Sequence, residues 1–149
     1  MSENRKIKNA TVTESHGITF KSKIEARVYN ILTASGFDKV EYETLTFVVF
    51  NGFVPTAQKY YAPDKNKQLQ CQMGKIRNVT YTPDFIINDK YLIEIKGMKN
   101  DVYPLKQKMF RQLLETTSYM FFEVHTLVQL QQAIKIIKDD IARSKLVGG

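Results

Sequence analysis

The run NVTYTPDFIINDKYLIEIKG, from Asn78 to Gly97, constrains the fold more than any other stretch. It reads as a strand, a tight turn and a second strand, with apolar residues on both faces. Strands that are apolar on both sides belong in a sheet covered by helices on both sides. Yet Asp84, Glu94 and Lys96 stand inside it. Side chains alternate along a strand, so Glu94 and Lys96 share one face while Ile93 and Ile95 take the other. A three-residue connection, Asn88-Asp89-Lys90, pairs Ile87 with Tyr91 and sets Asp84 directly opposite Glu94. A two-residue Asn-Asp connection sends the two carboxylates to opposite faces. In the first register their Cβ atoms are ~4.5–5.5 Å apart. Two carboxylates so placed must share a proton, pair with cations or bind a divalent metal. Lys96 neutralises only one of them, and a buried ion-pair network is the alternative to a metal.

The remaining pattern gives the order α-β-β-β-α-β-α, a mixed β-sheet flanked by helices. Residues 1–15 are polar and read as frayed, and Gly17 to Phe20 is a short extended entry. Ser22 opens a helix whose stripe is Ile24, Val28, Ile31 and Leu32, with Gly36 as its stop. VEYETLTFVVF, Val40 to Phe50, reads as one strand. From Asn51 to Arg77 the pattern breaks at Gly52, Pro55, Pro63 and Gly74. A segment of that length is a functional loop, a mobile one or an extra hairpin. Pro104 suits the first turn of a helix carried by Leu105, Met109, Leu113 and Leu114. SYMFFEVHT is a further strand, and Thr126 with Gln129 forms a capping-box pattern for a last helix.

With 149 residues, 43% of them hydrophobic and 25% charged, the chain has the length and composition of one globular domain. No apolar run approaches the ~20 residues of a membrane span, and MSENRKIKNATVTES lacks the apolar stretch of a secretory signal. The single cysteine, Cys71, forms no intrachain disulfide and no zinc cluster. His16 and His125 lack ligand spacing and read as structural or surface residues. No glycine-rich phosphate loop is present, which argues against an NTPase. The expected setting is a reducing compartment, the cytoplasm.

The net charge of +7 favours a polyanionic partner. Lys59, Lys65, Lys67, Lys75 and Arg77 share one stretch with only Asp64 opposing them, and Tyr60 and Tyr61 lie among them. A second cluster, Lys96, Lys99, Lys106, Lys108 and Arg111, follows the charged hairpin.

Pro83-Asp84 followed by Glu94-Ile95-Lys96 resembles the PD-(D/E)XK nuclease signature. The wider context, SKIEARVYNILTASGFDKVEYE with TYTPDFIINDKYLIEIKG, is similar to phage Holliday-junction resolvases of the endonuclease I type. GITFKSKIEA and KGMKNDVYPLKQKMF more closely resemble small phage and prophage proteins placed among the PD-(D/E)XK nucleases. The resemblance covers roughly Gly17 to Glu123. It implies a restriction-endonuclease-like core and a single nuclease domain over residues 17–145. A flexible tail, residues 1–16, precedes that domain, and a basic loop or hairpin is inserted at residues 51–77. It implies a metal-dependent DNA endonuclease, acting on branched DNA or nicking duplexes, with Mg²⁺ as cofactor and Mn²⁺ able to substitute. Asp84 and Glu94 match the metal ligands, Ile95 lends its backbone carbonyl, and Lys96 matches the lysine that positions the attacking water. Glu25 matches the helical acid that holds the metal or its water, although Ser22 and Glu25 equally fit a capping box. Hard oxygen ligands suit Mg²⁺ or Mn²⁺ rather than zinc.

Lys21, Lys23, Lys59, Lys65, Lys67, Lys75, Arg77, Lys99, Lys106, Lys108 and Arg111 become candidate phosphate contacts. A solvated loop is the alternative for residues 51–77. The endonuclease I resolvases have a shorter counterpart of this segment and a basic C-terminal tail that this chain lacks. A homodimer is expected, and the rival reading is a non-catalytic nucleic-acid-binding protein that keeps the fold.

Overall fold

The computed structural model describes residues 13–15, 17–96 and 103–147. Its elements are β1 (Thr13–Ser15), β2 (Ile18–Phe20), α1 (Lys23–Ala34), β3 (Val40–Tyr42), β4 (Phe47–Phe50), β5 (Tyr61–Pro63) and β6 (Leu69–Cys71). They continue with β7 (Val79–Tyr81), β8 (Phe85–Ile87), β9 (Tyr91–Ile95), α2 (Tyr103–Leu114), β10 (Met120–Val124) and α3 (Leu127–Val147). A four-stranded sheet in the order β10-β9-β8-β3 forms the centre. It is mixed: β3 and β9 run antiparallel to β8, whereas β10 runs parallel to β9. A parallel neighbour needs a crossover, and α2 supplies it between β9 and β10.

The alternation anticipated for the central hairpin sorts its residues onto two cores. Phe85, Ile87, Tyr91 and Ile93 pack with Phe20, with Val28 and Leu32 of α1, and with Leu130, Ile134 and Ile137 of α3. Ile86 and Leu92 face the other way, against Tyr81 and against Tyr103 and Phe110 of α2. Helices therefore cover both faces, which is why β8 carries no polar residue. The connection is the three-residue one. Ile87 pairs with Tyr91 and Phe85 with Ile93. Asn88 and Asp89 have φ of 50° and 56°, a left-handed backbone that these two residue types tolerate better than most. Asn88 is also clipped to the chain leading into β3. Its N–H donates to the Lys39 carbonyl at 2.9 Å, and its Oδ1 accepts from the Lys39 N–H at 3.0 Å.

Helix ends follow the local chemistry. Ser22 caps α1 by accepting from the Glu25 N–H at 3.3 Å, and Gly36, at φ 87°, lies just beyond its end. At the start of α3, Thr126 Oγ1 accepts from the Gln129 N–H at 3.1 Å, and Gln129 Oε1 accepts from the Thr126 N–H at 3.2 Å. That is a reciprocal capping box.

The strands depart from expectation in three places, and residues 51–77 take the hairpin alternative. Val40 to Phe50 is not one strand. It breaks after Tyr42, because Glu43 adopts φ 51° and its N–H turns to the Asp84 carbonyl at 2.9 Å. The first arm of the hairpin breaks opposite this point, at Thr82-Pro83-Asp84, where proline has no N–H for a ladder. Thr46 and Thr82 join hydroxyls across the gap at 2.7 Å. As a result β3 and β8 stay in the main sheet, while β4 and β7 form a separate ribbon. Residues 51–77 contain an added hairpin, β5–β6. Residues 13–15, expected to fray, pair with β2 as β1. His16 and Lys99 lie outside the described residues. No helix among the described residues is long and apolar enough to cross a membrane.

Two measurements check this packing. Leu92 is 0% exposed between the sheet and α2, so Leu92→Ala should lower unfolding free energy by about 2–5 kcal/mol in urea denaturation. A loss below about 1 kcal/mol would contradict that enclosure. Asp140 of α3 accepts from the Tyr91 hydroxyl at 2.7 Å and from Lys90 at 3.1 Å, and these bonds hold its pKa below the usual aspartate value. A depressed carboxylate stabilises the fold above its unfolded pKa of about 3.9 and loses that effect as pH falls through the folded value. Asp140→Asn should therefore melt lower than wild type at neutral pH, and the two melting curves should converge in acid.

Candidate metal centre

Extending the β8–β9 ladder by one residue beyond Phe85 and Ile93 places Asp84 across from Glu94. The two carboxylates are held apart by different partners. Asp84 reaches over the strand gap, and its Oδ2 accepts from the Ile95 backbone N–H at 2.8 Å. Glu94, buried at 7% exposure, accepts from the Tyr81 hydroxyl at 2.5 Å and pairs with the Lys96 ammonium at 3.2 Å. Lys96 is itself enclosed, with its ammonium 3.6 Å from the centroid of the Tyr103 ring. That ring carries a negative face, so it attracts the cation while restricting where the long side chain can swing.

The strand break at Glu43 completes the cluster. Glu25, Glu43 and Asp84 each bring a carboxylate oxygen within 4.8 Å of the other two. Glu25 takes part in the Ser22 cap, and its carboxylate also stands in this cluster. Its N–H completes the Ser22 cap, its Oε1 accepts from the Ser22 hydroxyl at 3.2 Å, and its Oε2 accepts a short bond from Tyr42. Lys21 pairs with Glu43 at 2.7 Å. Four carboxylates thus face two ammonium groups, and among the described residues neither lysine pairs with Asp84.

Burial and that imbalance together set the electrostatics. Burial first, then the charges of Glu94 and Glu25, push the Asp84 carboxyl well above the usual range. Burial also pushes Glu94 up, opposed by Tyr81, Lys96 and the Asp84 N–H. Burial raises Tyr42, Tyr81 and Tyr103, and the carboxylate each one faces adds to the shift. They therefore remain hydroxyl donors. Tyr103 donates to Glu123 at 2.6 Å, and Glu123 in turn meets His125 at 2.7 Å. The pattern repeats around the centre, with one phenol holding one glutamate: Tyr42 with Glu25, Tyr81 with Glu94, Tyr103 with Glu123.

This arrangement fits a hard divalent cation. Three convergent carboxylates make an all-oxygen donor set suited to a hard cation, and a cation there would offset the repulsion that adds to burial in raising Asp84. Of the expected ligands, Asp84 and Glu25 belong to the convergent trio, with Glu94 adjacent and engaged by Tyr81 and Lys96. Ile95 lies at the centre, its N–H held by Asp84. Sequence reasoning missed Glu43, Tyr42, Tyr81 and Tyr103. Glu43 carried no signal, because a left-handed glutamate in a β-rich run is not legible from residue type. The tyrosines were visible only as apolar positions.

The expected phosphate contacts are scattered. Lys21 stands at the edge of the centre on Glu43, and Lys23 is exposed at the start of α1. Lys59, Lys65, Lys67, Lys75 and Arg77 are exposed around the β5–β6 hairpin, and Lys106, Lys108 and Arg111 lie on α2. Lys96, grouped with the α2 cations by sequence, belongs instead to the enclosed centre.

No curated protein and no solved structure matches the chain. One family model matches residues 5–137. That span is most of the 149 residues, and the chain belongs to that family, the protein of unknown function DUF1064.

Proposed function

We propose that the protein is a metal-dependent DNA endonuclease of the PD-(D/E)XK kind, with a restriction-endonuclease-like core. One observation carries the reading. The hairpin register sets Asp84 beside Glu94 and Lys96, at the point where Glu25 and Glu43 also converge. Phosphodiester hydrolysis needs a deprotonated water and a means of offsetting negative charge at phosphorus. A bound Mg²⁺ or Mn²⁺ supplies both functions, by acidifying water and by neutralising phosphate charge.

The chain's own residues do the rest. Asp84, Glu25 and Glu43 would hold the cation through their oxygens, and the Ile95 N–H fixes the orientation of Asp84. Glu94 and the Tyr103 ring hold the Lys96 ammonium in place. Lys96 carries three N–H donors, and those not spent on Glu94 meet charge that develops on the phosphate in the transition state. Because Lys96 is fixed before the reaction, little reorganisation is needed as that charge appears. Tyr81 holds the Glu94 carboxylate in place and opposes the upward push of burial on it. The +7 net charge supports a nucleic-acid substrate, with branched DNA as the leading class and nicked duplex next. A homodimer, which places two such centres on one branched substrate, belongs to the same proposal.

Cleavage of a four-way junction, a nicked duplex and a single strand with Mg²⁺ or Mn²⁺ tests the proposal. Asp84→Ala should abolish it, and Lys96→Ala should slow it by roughly 100-fold or more. Glu43→Gln should raise the Mg²⁺ concentration for half-maximal rate by on the order of tenfold or more. Absence of metal-dependent cleavage on every substrate would overturn the enzyme, and full activity in Asp84→Ala would overturn the site. Tyr103→Phe keeps the ring and should retain turnover. Tyr103→Leu should lower kcat with little change in KM, and equal behaviour of the two variants would remove Tyr103 from the positioning of Lys96.

A further inference from the structure

Among residues 51–78 none is buried and most are exposed. The β5–β6 hairpin at their centre pairs Tyr61 with Cys71 and Pro63 with Leu69. Alternation therefore puts Tyr61, Pro63 and Leu69 on one face. Tyr61 is 55% exposed and Leu69 71%, with Tyr60 at 66% and Phe53 at 53% nearby. A ribbon that leaves apolar side chains in water over its length is an interaction surface rather than a solvated loop.

The charge on this arm says what the surface takes. Lys59, Lys65, Lys67, Lys75 and Arg77 are all exposed, and none forms an ion pair among the described residues. The one acid, Asp64, is occupied in closing the tip, where its Oδ1 accepts from the N–H groups of Asn66 at 2.8 Å and Gln68 at 3.0 Å. Five basic residues against one acidic residue give the segment +4 of the chain's +7. A second copy of the same arm would bring +4 against +4, whereas a polyanion is complementary.

The arm is also held in a set pose. Phe53 and Ile76 exchange backbone hydrogen bonds at 2.9 and 2.8 Å. Gly52 lies so close to the returning strand that a Cβ there would sit 2.1 Å from the Ile76 carbonyl oxygen. Its N–H donates to Asn78 Oδ1 at 2.7 Å. The returning strand continues into β7, which ends at Tyr81 with its hydroxyl on Glu94. The arm is thus built on the same strand that grips the candidate centre.

We infer that the β5–β6 arm inserts as a two-stranded ribbon into the major groove of duplex DNA, on the same duplex that the metal centre engages. This rests on the nuclease reading for the presence of a duplex at that centre. The major groove of B-DNA admits a two-stranded ribbon, whereas the deep, narrow major groove of duplex RNA does not. The exposed lysines lie along the phosphates, and the Tyr61–Leu69 face meets the groove floor.

The test uses fluorescence anisotropy in EDTA with a labelled duplex about three turns long, so that binding is read without cleavage. The variant Lys59→Ala/Lys65→Ala/Lys67→Ala/Lys75→Ala should keep the wild-type melting temperature, since no buried residue is touched. Its duplex Kd should rise at least tenfold, and the slope of log K against log salt should flatten by about 3–4, at ~0.9 per phosphate contact. Wild type should protect guanine N7 in the major groove from dimethyl sulfate, and the variant should lose that protection. Gly52→Val, which dislodges the arm root and leaves every lysine in place, should lose it too.

Unchanged duplex affinity in the lysine variant would overturn the inference, as would protection of adenine N3 in the minor groove instead. An equal loss on single strands would also overturn it, and so would a dimer that becomes monomeric with duplex affinity intact. Arm-dependent duplex binding by a wild type that cleaves nothing would support the arm and overturn the nuclease.

Discussion

The hairpin between β8 and β9 is the constraint on which the rest depends. Its register, Ile87 on Tyr91, is set by a turn in which Asn88 and Asp89 accept a left-handed backbone, and Asn88 is clipped to Lys39. A slip of one residue would move Ile86 and Leu92 to the α1–α3 face and expose the wrong side chains to each core. The same register leaves Asp84 no place except beside Glu94. Two sheet faces that must be apolar and two carboxylates that must be adjacent are therefore one geometrical fact.

Accommodating that charge shapes the surroundings. Three of the carboxylates take a donor without formal charge, a backbone N–H for Asp84 and a tyrosine hydroxyl for Glu25 and for Glu94, while Glu43 pairs with Lys21. Lys96 is caged between Glu94 and the Tyr103 ring. The breaks at Glu43 and at Thr82-Pro83-Asp84 serve the same end. They turn two strands out of the main sheet and bring Glu43 to the trio, while β4 and β7 leave to carry the arm.

Much of this was legible because it rests on local chemistry. Ser22, Gly36 and the Thr126–Gln129 box mark helix ends by residue type alone, and Asn88-Asp89 announces a turn that tolerates positive φ. The two-sided apolar pattern of the hairpin called for helices on both faces. The strand breaks were not legible, since nothing in VEYETLTFVVF distinguishes Glu43 from its neighbours until the Asp84 carbonyl is there to receive its N–H. Tyr81 and Tyr103 are core residues and Tyr42 is half-buried, but their hydroxyls acquire partners only through tertiary packing. The segment at 51–77 showed its turn residues but not its pairing, because β5 and β6 are short and have no apolar core to enforce alternation.

A single measurement bears on the central claim most directly: the anomalous difference map of a crystal soaked in Mn²⁺. The account predicts one peak among the carboxylate oxygens of Glu25, Glu43 and Asp84, with Lys96 still on Glu94, and no such peak in Asp84→Asn. A peak elsewhere, or a centre that stays empty while its lysines move in to pair with Asp84, would make the cluster an ion-pair network and contradict the account.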